Sequence, residues 1–145
     1  MNDLRTLDGK SDCIVIDTSA GLTPEIVRYA ADADEAVVVS TPEPTAVMDA
    51  YAMIKMILLT NSTTRISVIM NSVRIPAEAE SAVEKLSVAV DRFLLSSFRF
   101  LGSVPFDDKV FTAVTRHRAL MQEFPLSSAA LSIKTIARRL FKNSV

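Results

Sequence analysis

The 145 residues are one domain's worth of chain, 49% hydrophobic and 23% charged with a net charge of −1, which suits a globular protein and excludes nucleic-acid binding driven by overall charge. The single cysteine, Cys13, excludes a disulfide framework and a cysteine-based zinc site, and makes a reducing, cytoplasmic compartment the expected one. The longest apolar stretch, over 46–59, is interrupted by Asp49 and Lys55 and is too short to span a bilayer.

Residues 1–10 are polar, mixed in charge and without a clear period, so they read as a leader rather than a signal peptide. In the next stretch, SDCIVIDTSAGL over 11–22, the apolar run 13–16 leads straight into Asp17 and a turn. A short, wholly apolar run bounded by a turn signal predicts a strand buried on both faces of a parallel sheet. Asp17 is then its C-terminal tip, where a carboxylate can hold a hydrated magnesium ion, and Gly21 lets the backbone pass close to a phosphate. The same Asp is equally well read as a cap or turn residue.

Thr23 followed by Pro24 opens a helix to about residue 33. A second buried strand is expected over 36–39, ending in the rigid loop Ser40-Thr41-Pro42-Glu43-Pro44-Thr45. The helix predicted over 45–59 carries only Asp49 and Lys55 as charges, so it requires cover on most sides. A third strand over 66–70 ends at Asn71, and Ala79, Val83, Leu86 and Val90 set a helical stripe over 76–95. The fourth strand, over 98–104, is interrupted by Gly102 and ends in Pro105-Phe106-Asp107. A short helix over 108–115 and a last helix capped by Ser127 and running to about 141 complete the chain. The alternation predicts one α/β domain over 1–145. It is a three-layer α/β/α arrangement with at least four parallel strands, whose tips at Asp17, Thr41, Asn71 and Pro105 share one edge.

An Asn at such a tip suits a purine, because its amide offers both an acceptor and a donor to the base edge; alone, it is also an ordinary turn residue. His117, between Arg116 and Arg118, reads as a solvated loop residue. Met48, Met53 and Met56 read as core filler with room for a partner face. The closing helix has apolar Ala130, Ile133, Ala137, Leu140 and Phe141 opposite Lys134, Arg138, Arg139 and Lys142. Packing against the sheet is the expected use of that pattern, and association with anionic membrane is the alternative.

Asp17-Thr18-Ser19-Ala20-Gly21 resembles the Walker B and switch II segment of the MinD/ParA ATPases, the deviant Walker A class of P-loop proteins. The run TPEPTAVMDAYAMIK over 41–55 is similar to the corresponding segment of the FlhG (FleN, YlxH) branch, the regulators of flagellar number and placement. The resemblance extends to Asn71, matching the family's adenine-contacting Asn, and to Pro105-Phe106-Asp107, matching its Pro-x-Asp. It covers nearly everything from Ser11 onward and implies a P-loop NTPase-like fold. It implies ATP and Mg2+ as ligands, with Asn71, Pro105, Asp107 and Gly21 on the nucleotide and Asp17 on the metal. The family's glycine-rich loop with two lysines has no counterpart among these residues, which hold three glycines in all. The resemblance is therefore to the C-terminal half, and it implies a homodimer or a complementing N-terminal fragment, with a flagellar GTPase of the FlhF type as a further partner. Two other readings stay open. One is a receiver-like signalling module with Asp17 as phosphoacceptor and Thr41 as switch hydroxyl, although the acidic pair and the lysine that a receiver needs are not visible. The other is a structural remnant that pairs with another chain.

Overall fold

Two Val- and Ile-rich segments and a third carrying Phe100, Leu101 and Val104 pair into a sheet. The computed structural model describes residues 11–141. In chain order they form α1 (Pro24–Asp32), β1 (Glu35–Ser40), α2 (Pro44–Thr60), β2 (Arg65–Val73), α3 (Pro76–Leu94), β3 (Arg99–Pro105), α4 (Asp108–Thr115), α5 (Leu120–Glu123) and α6 (Ser128–Phe141). The sheet order is β1-β2-β3 and both pairings are parallel. Helices cover both faces, so the α/β/α class expected from the sequence is the class observed. Helices α1, α2 and α3 lie on one side, where Ala36, Val38, Ile66, Val68 and Met70 meet Ala50, Ile54, Ile57, Leu86 and Val90. Burial of each large side chain there contributes about 1.5–3 kcal/mol before entropy is counted. On the other side α6 brings Ala129 and Ile136 onto Leu101 and Val104.

Local chemistry sets the ends of the elements. The Thr23 hydroxyl accepts from the Ile26 N–H, and Pro24 occupies the first turn of α1. At the other end of α1 the Ala31 carbonyl accepts from Asn61 Nδ2 at 2.9 Å and from Thr64 Oγ1 at 2.8 Å. The turn between α2 and β2 is thereby tied to α1. The closing helix packs on the sheet as expected, but its buried residues are Ala129, Ala130 and Ile136, while Ile133 and Phe141 are exposed. In α2 likewise, Met48, Met56 and Leu59 are exposed, so the expected cover on most sides is absent.

The main correction concerns residues 13–16. They form no strand, Cys13 is exposed rather than buried, and Val15 is 79% exposed. The sheet among the described residues therefore has three strands, not four, and Asp17 is not at a strand tip. A strand is defined by its neighbours, and no hydrogen bond among the described residues ties 11–22 to the rest. Four apolar residues without a ladder partner do not pay the entropy of ordering. Consistent with an incomplete sheet, β1 is an edge strand whose second face is bare: Val37 and Val39 point away from the α1–α3 core, and Val39 is 60% exposed. The expected reading of residues 1–10 lies outside the described residues.

Paired irregularities bend the β2–β3 ladder. Val68 faces Phe100 but Ile69 faces Gly102, leaving Leu101 as the extra residue on β3. Its carbonyl accepts from Arg139 Nη1 at 2.8 Å, which ties α6 to the bulge. Gly102 has φ +140°, and an added Cβ would lie 3.3 Å from both Arg139 Nη1 and Ile136 Cγ1. Gly102→Ala is expected to lower unfolding free energy by about 1–3 kcal/mol, through backbone strain and overpacking together. Urea denaturation checks this, and an unchanged midpoint would show that α6 docks without Gly102.

Candidate nucleotide edge

The carboxyl ends of the strands in an open parallel sheet are where ligands bind, because the loops there leave a crevice between adjacent strands. At this edge Ser40 ends β1 buried, with its hydroxyl donating to the Thr41 carbonyl. The proline-rich loop then leads into α2 with Pro44 in its first turn. The neighbouring Thr41 side chain and the Glu43 backbone hold the Glu43 carboxyl below its usual range.

The second irregularity shapes the β2 tip. Met70 faces Ser103 and Val73 faces Pro105, so Asn71 and Ser72 together oppose Val104. Ser72 takes φ +56°, in the left-handed region that non-glycine residues rarely occupy. The bulge leaves Asn71 and Ser72 exposed at the tip. Bulges of this kind re-aim side chains near functional sites. Two contacts lock it from the β3 side. The Phe106 N–H donates to the Val73 carbonyl at 2.8 Å, and the Arg74 guanidinium lies 3.5 Å from the centroid of the Phe106 ring.

Asp107 has a different occupation. One carboxylate oxygen accepts from the Lys109 N–H at 2.9 Å, starting α4. The other accepts from Ser128 Oγ at 2.9 Å and from the Ala129 N–H at 3.0 Å, at the start of α6. Held mainly by the Ala129 and then the Lys109 backbone N–H groups, the carboxyl is lowered to about 2. This side chain caps two helices and so fixes α6 to the end of β3.

Of the residues expected at the site, the structure thus places Asn71, Pro105 and Asp107 together on the β2–β3 tips. Asp17 and Gly21 lie in the exposed segment before α1, where Gly21 has φ +115° and open space around it. Asp17 offers a metal at most one ligand, and the described residues hold no group of three or more His, Cys, Asp or Glu that would bind an ion unaided. A magnesium site here would be completed by water and by the substrate's phosphates. His117 is exposed, in the left-handed region at φ +53°. Sequence reasoning missed the bulge, the Arg74–Phe106 stack and α5. The one available signal was an aromatic residue set in a polar turn between Pro105 and Asp107. A groove of about 550 Å3 opens at the opposite edge, lined by Glu35, Arg65, Ser67 and Arg99 among others. There Arg99 Nη2 pairs with the Glu35 carboxylate at 2.7 Å and Ser67 bonds both, so these groups satisfy one another.

No protein-family model matches the chain. It is 36% identical over 129 residues to the antiactivator FleN of Pseudomonas aeruginosa, covering 89% of this chain and 46% of that protein. It is 34% identical over 134 residues to the septum site-determining protein MinD of Synechocystis, covering 92% and 49%. It is 30% identical over 127 residues to the flagellum site-determining protein YlxH of Helicobacter pylori, covering 87% and 42%. The chain spans about half the length of these relatives. Among solved structures, a chain of the MinC:MinD cell division protein complex of Aquifex aeolicus matches with a TM-score of 0.72 at 26% identity, over 99% of this chain and 57% of that one. The Pyrococcus furiosus cell division ATPase MinD matches with a TM-score of 0.72 at 20% identity, over 96% and 55%, and shows the fold.

The Asp107 caps make stability depend on pH in a defined window. A carboxyl lowered in the folded state stabilises it fully above its unfolded value near 3.8, and the contribution is lost as pH falls toward about 2. Asp107→Asn is expected to be less stable at neutral pH and to show a shallower loss between pH 4 and 2. Denaturant melts across that range check it, and parallel pH profiles for the two proteins would show that the carboxylate charge is not what anchors α6.

Proposed function

We propose that this chain, which belongs to the MinD/FleN/YlxH family of site-determining ATPases, carries the adenine-binding edge of a nucleotide switch that regulates the number or placement of flagella. The observation that carries the reading is the bulged β2 tip, which leaves Asn71 exposed opposite Val104, the residue before Pro105, at the carboxyl edge of the sheet. Within the reading, Asn71 contacts the base edge and Pro105 its face. Asp17 contributes one ligand to hydrated magnesium on ATP, and Gly21 leaves room for the phosphates. Phosphoryl transfer is mostly positioning and charge stabilisation by a loop of backbone N–H groups and a lysine. These residues hold no such loop, so the phosphate cradle comes from a segment outside them.

The bare surfaces support that division. β1 has one unpaired edge and an uncovered face at Val37 and Val39, and Ile14, Val15 and Ile16 are exposed without a ladder partner. Exposed apolar edges of this kind template pairing with another chain. A complementing N-terminal segment, or failing that a second copy, is the occupant we assign. The dimerisation and partner recruitment of the intact switch follow from the same family membership. The relative named for flagellum siting, and the likeness of the 41–55 run to the FleN branch, support flagella as the structures regulated.

Purified alone, the chain is expected to self-associate in sedimentation experiments and to show no magnesium-dependent ATP turnover above background. Val39→Lys should shift it toward monomer. Adding the P-loop half of a FleN-type relative should restore magnesium-dependent ATP turnover. Turnover by the isolated chain that disappears in Asp17→Ala, or a stable monomer with strong amide protection over 13–16, contradicts the reading.

A further inference from the structure

The Arg74–Phe106 contact is unusual for a surface pair. Both residues are exposed, Phe106 at 41%, yet the guanidinium sits 3.5 Å from the ring centroid, a stacking distance rather than an edge contact. Arg74 forms no ion pair among the described residues, and Phe106 belongs to neither packing cluster of the core. The pair is held firmly all the same. The backbone of Phe106 is bonded to Val73, Pro105 precedes it, and Asp107, which follows it, is fixed by three hydrogen bonds. On the other strand, the bulge at Asn71 and Ser72 sets the direction from which Arg74 leaves the sheet.

A guanidinium is planar and weakly hydrated, and it stacks on flat π systems through either face. One face of Arg74 is used on the ring. We propose that its other face is the platform on which a purine base stacks, with Phe106 as the brace that keeps the guanidinium flat and Asn71 meeting the edge of the same base. The inference rests on the reading of this edge as an adenine-nucleotide site and adds to it Arg74 as a base-contacting residue and Phe106 as a positioning residue. It also assigns a preference: a two-ring base covers more of the platform than a one-ring base, so purines are favoured over pyrimidines by overlap, independently of hydrogen bonding.

Uncharged adenosine is the probe that isolates this, since it has no phosphate for a cation to attract. Amide NMR titration of the full 145-residue chain with adenosine should perturb Asn71, Arg74 and Phe106, with uridine binding more weakly. Arg74→Lys keeps the charge but removes the plane, and should weaken adenosine by roughly five- to tenfold while erasing the preference over uridine. Phe106→Leu should do the same to a smaller extent, and the amide spectrum of each variant reports whether the fold is kept. Because Arg74 is exposed, the lysine variant tests the platform even where Phe106→Leu disturbs the β3 tip. Adenosine shifts that map to the Asn71 edge but are unchanged in affinity and base preference by Arg74→Lys overturn the platform and leave the nucleotide edge standing. No shifts with the unaltered chain overturn both.

Discussion

Parallel backbone pairing between β1, β2 and β3 is the constraint on which the remaining features depend. Parallel strands cannot be joined by a tight turn, so each connection is a helix that must return across the sheet, and that return brings every strand's carboxyl end to one edge. The central strand is pinned on both sides, and the two register breaks with β3 offset each other: one extra residue on β3 at Leu101, then one on β2 at the Asn71–Ser72 tip. The first is stabilised by Arg139 from α6 and the second by the Phe106 N–H and ring. The helix on the far face and the candidate site at the tip are therefore attached to the same distorted ladder.

Register at the other end is set by polar groups. Glu35, Ser67 and Arg99 come one from each strand and join through the Ser67 hydroxyl and the Glu35–Arg99 pair. A one-residue slip would carry each of these to the opposite face of the sheet, against apolar helices, leaving a charge buried without its partner. Such a partly screened pair contributes little net stability. Its value lies in the alternatives it makes unfavourable, because Val-rich strands pack nearly as well one step out of register.

Most of the fold was readable because it rests on local rules. Thr23-Pro24 and the stripe through Ala79, Leu86 and Val90 announce helices, and the three paired strands are each short segments with apolar residues between turn signals. What could not be read was relational. Residues 13–16 have the composition of a buried strand and fail to be one, since composition cannot say whether a neighbour is present. The bulge at Asn71 and Ser72 carries no glycine to mark it, and Ser72 enters the left-handed region because the contacts of Val73 and Phe106 over-determine it. Of the residues expected to meet a ligand, Asn71 and Pro105 lie near the ends of β2 and β3, as the apolar runs before them indicate. Arg74 was passed over because an arginine before Ile75-Pro76 looks like ordinary solvated surface.

The duties at the carboxyl edge divide between carboxylate and cation. Asp107 was expected on the nucleotide, but each of its oxygens is taken by helix N-termini, and a carboxyl held that far down is stabilised by those donors. To contact a ligand it would have to release the caps of α4 or α6, and α6 supplies Ala129 and Ile136, the buried helical residues on the Leu101 face, with Leu120 of α5 at its margin. A negative charge spent in this way also does little to repel an anionic ligand, since three donors point at it. The groups left free to meet a base are the amide of Asn71 and the plane of Arg74, one polar and directional, the other flat and cationic. On the proposed reading that combination selects for a ring with hydrogen-bonding edges, on a tip whose geometry is set by the sheet rather than by a flexible loop.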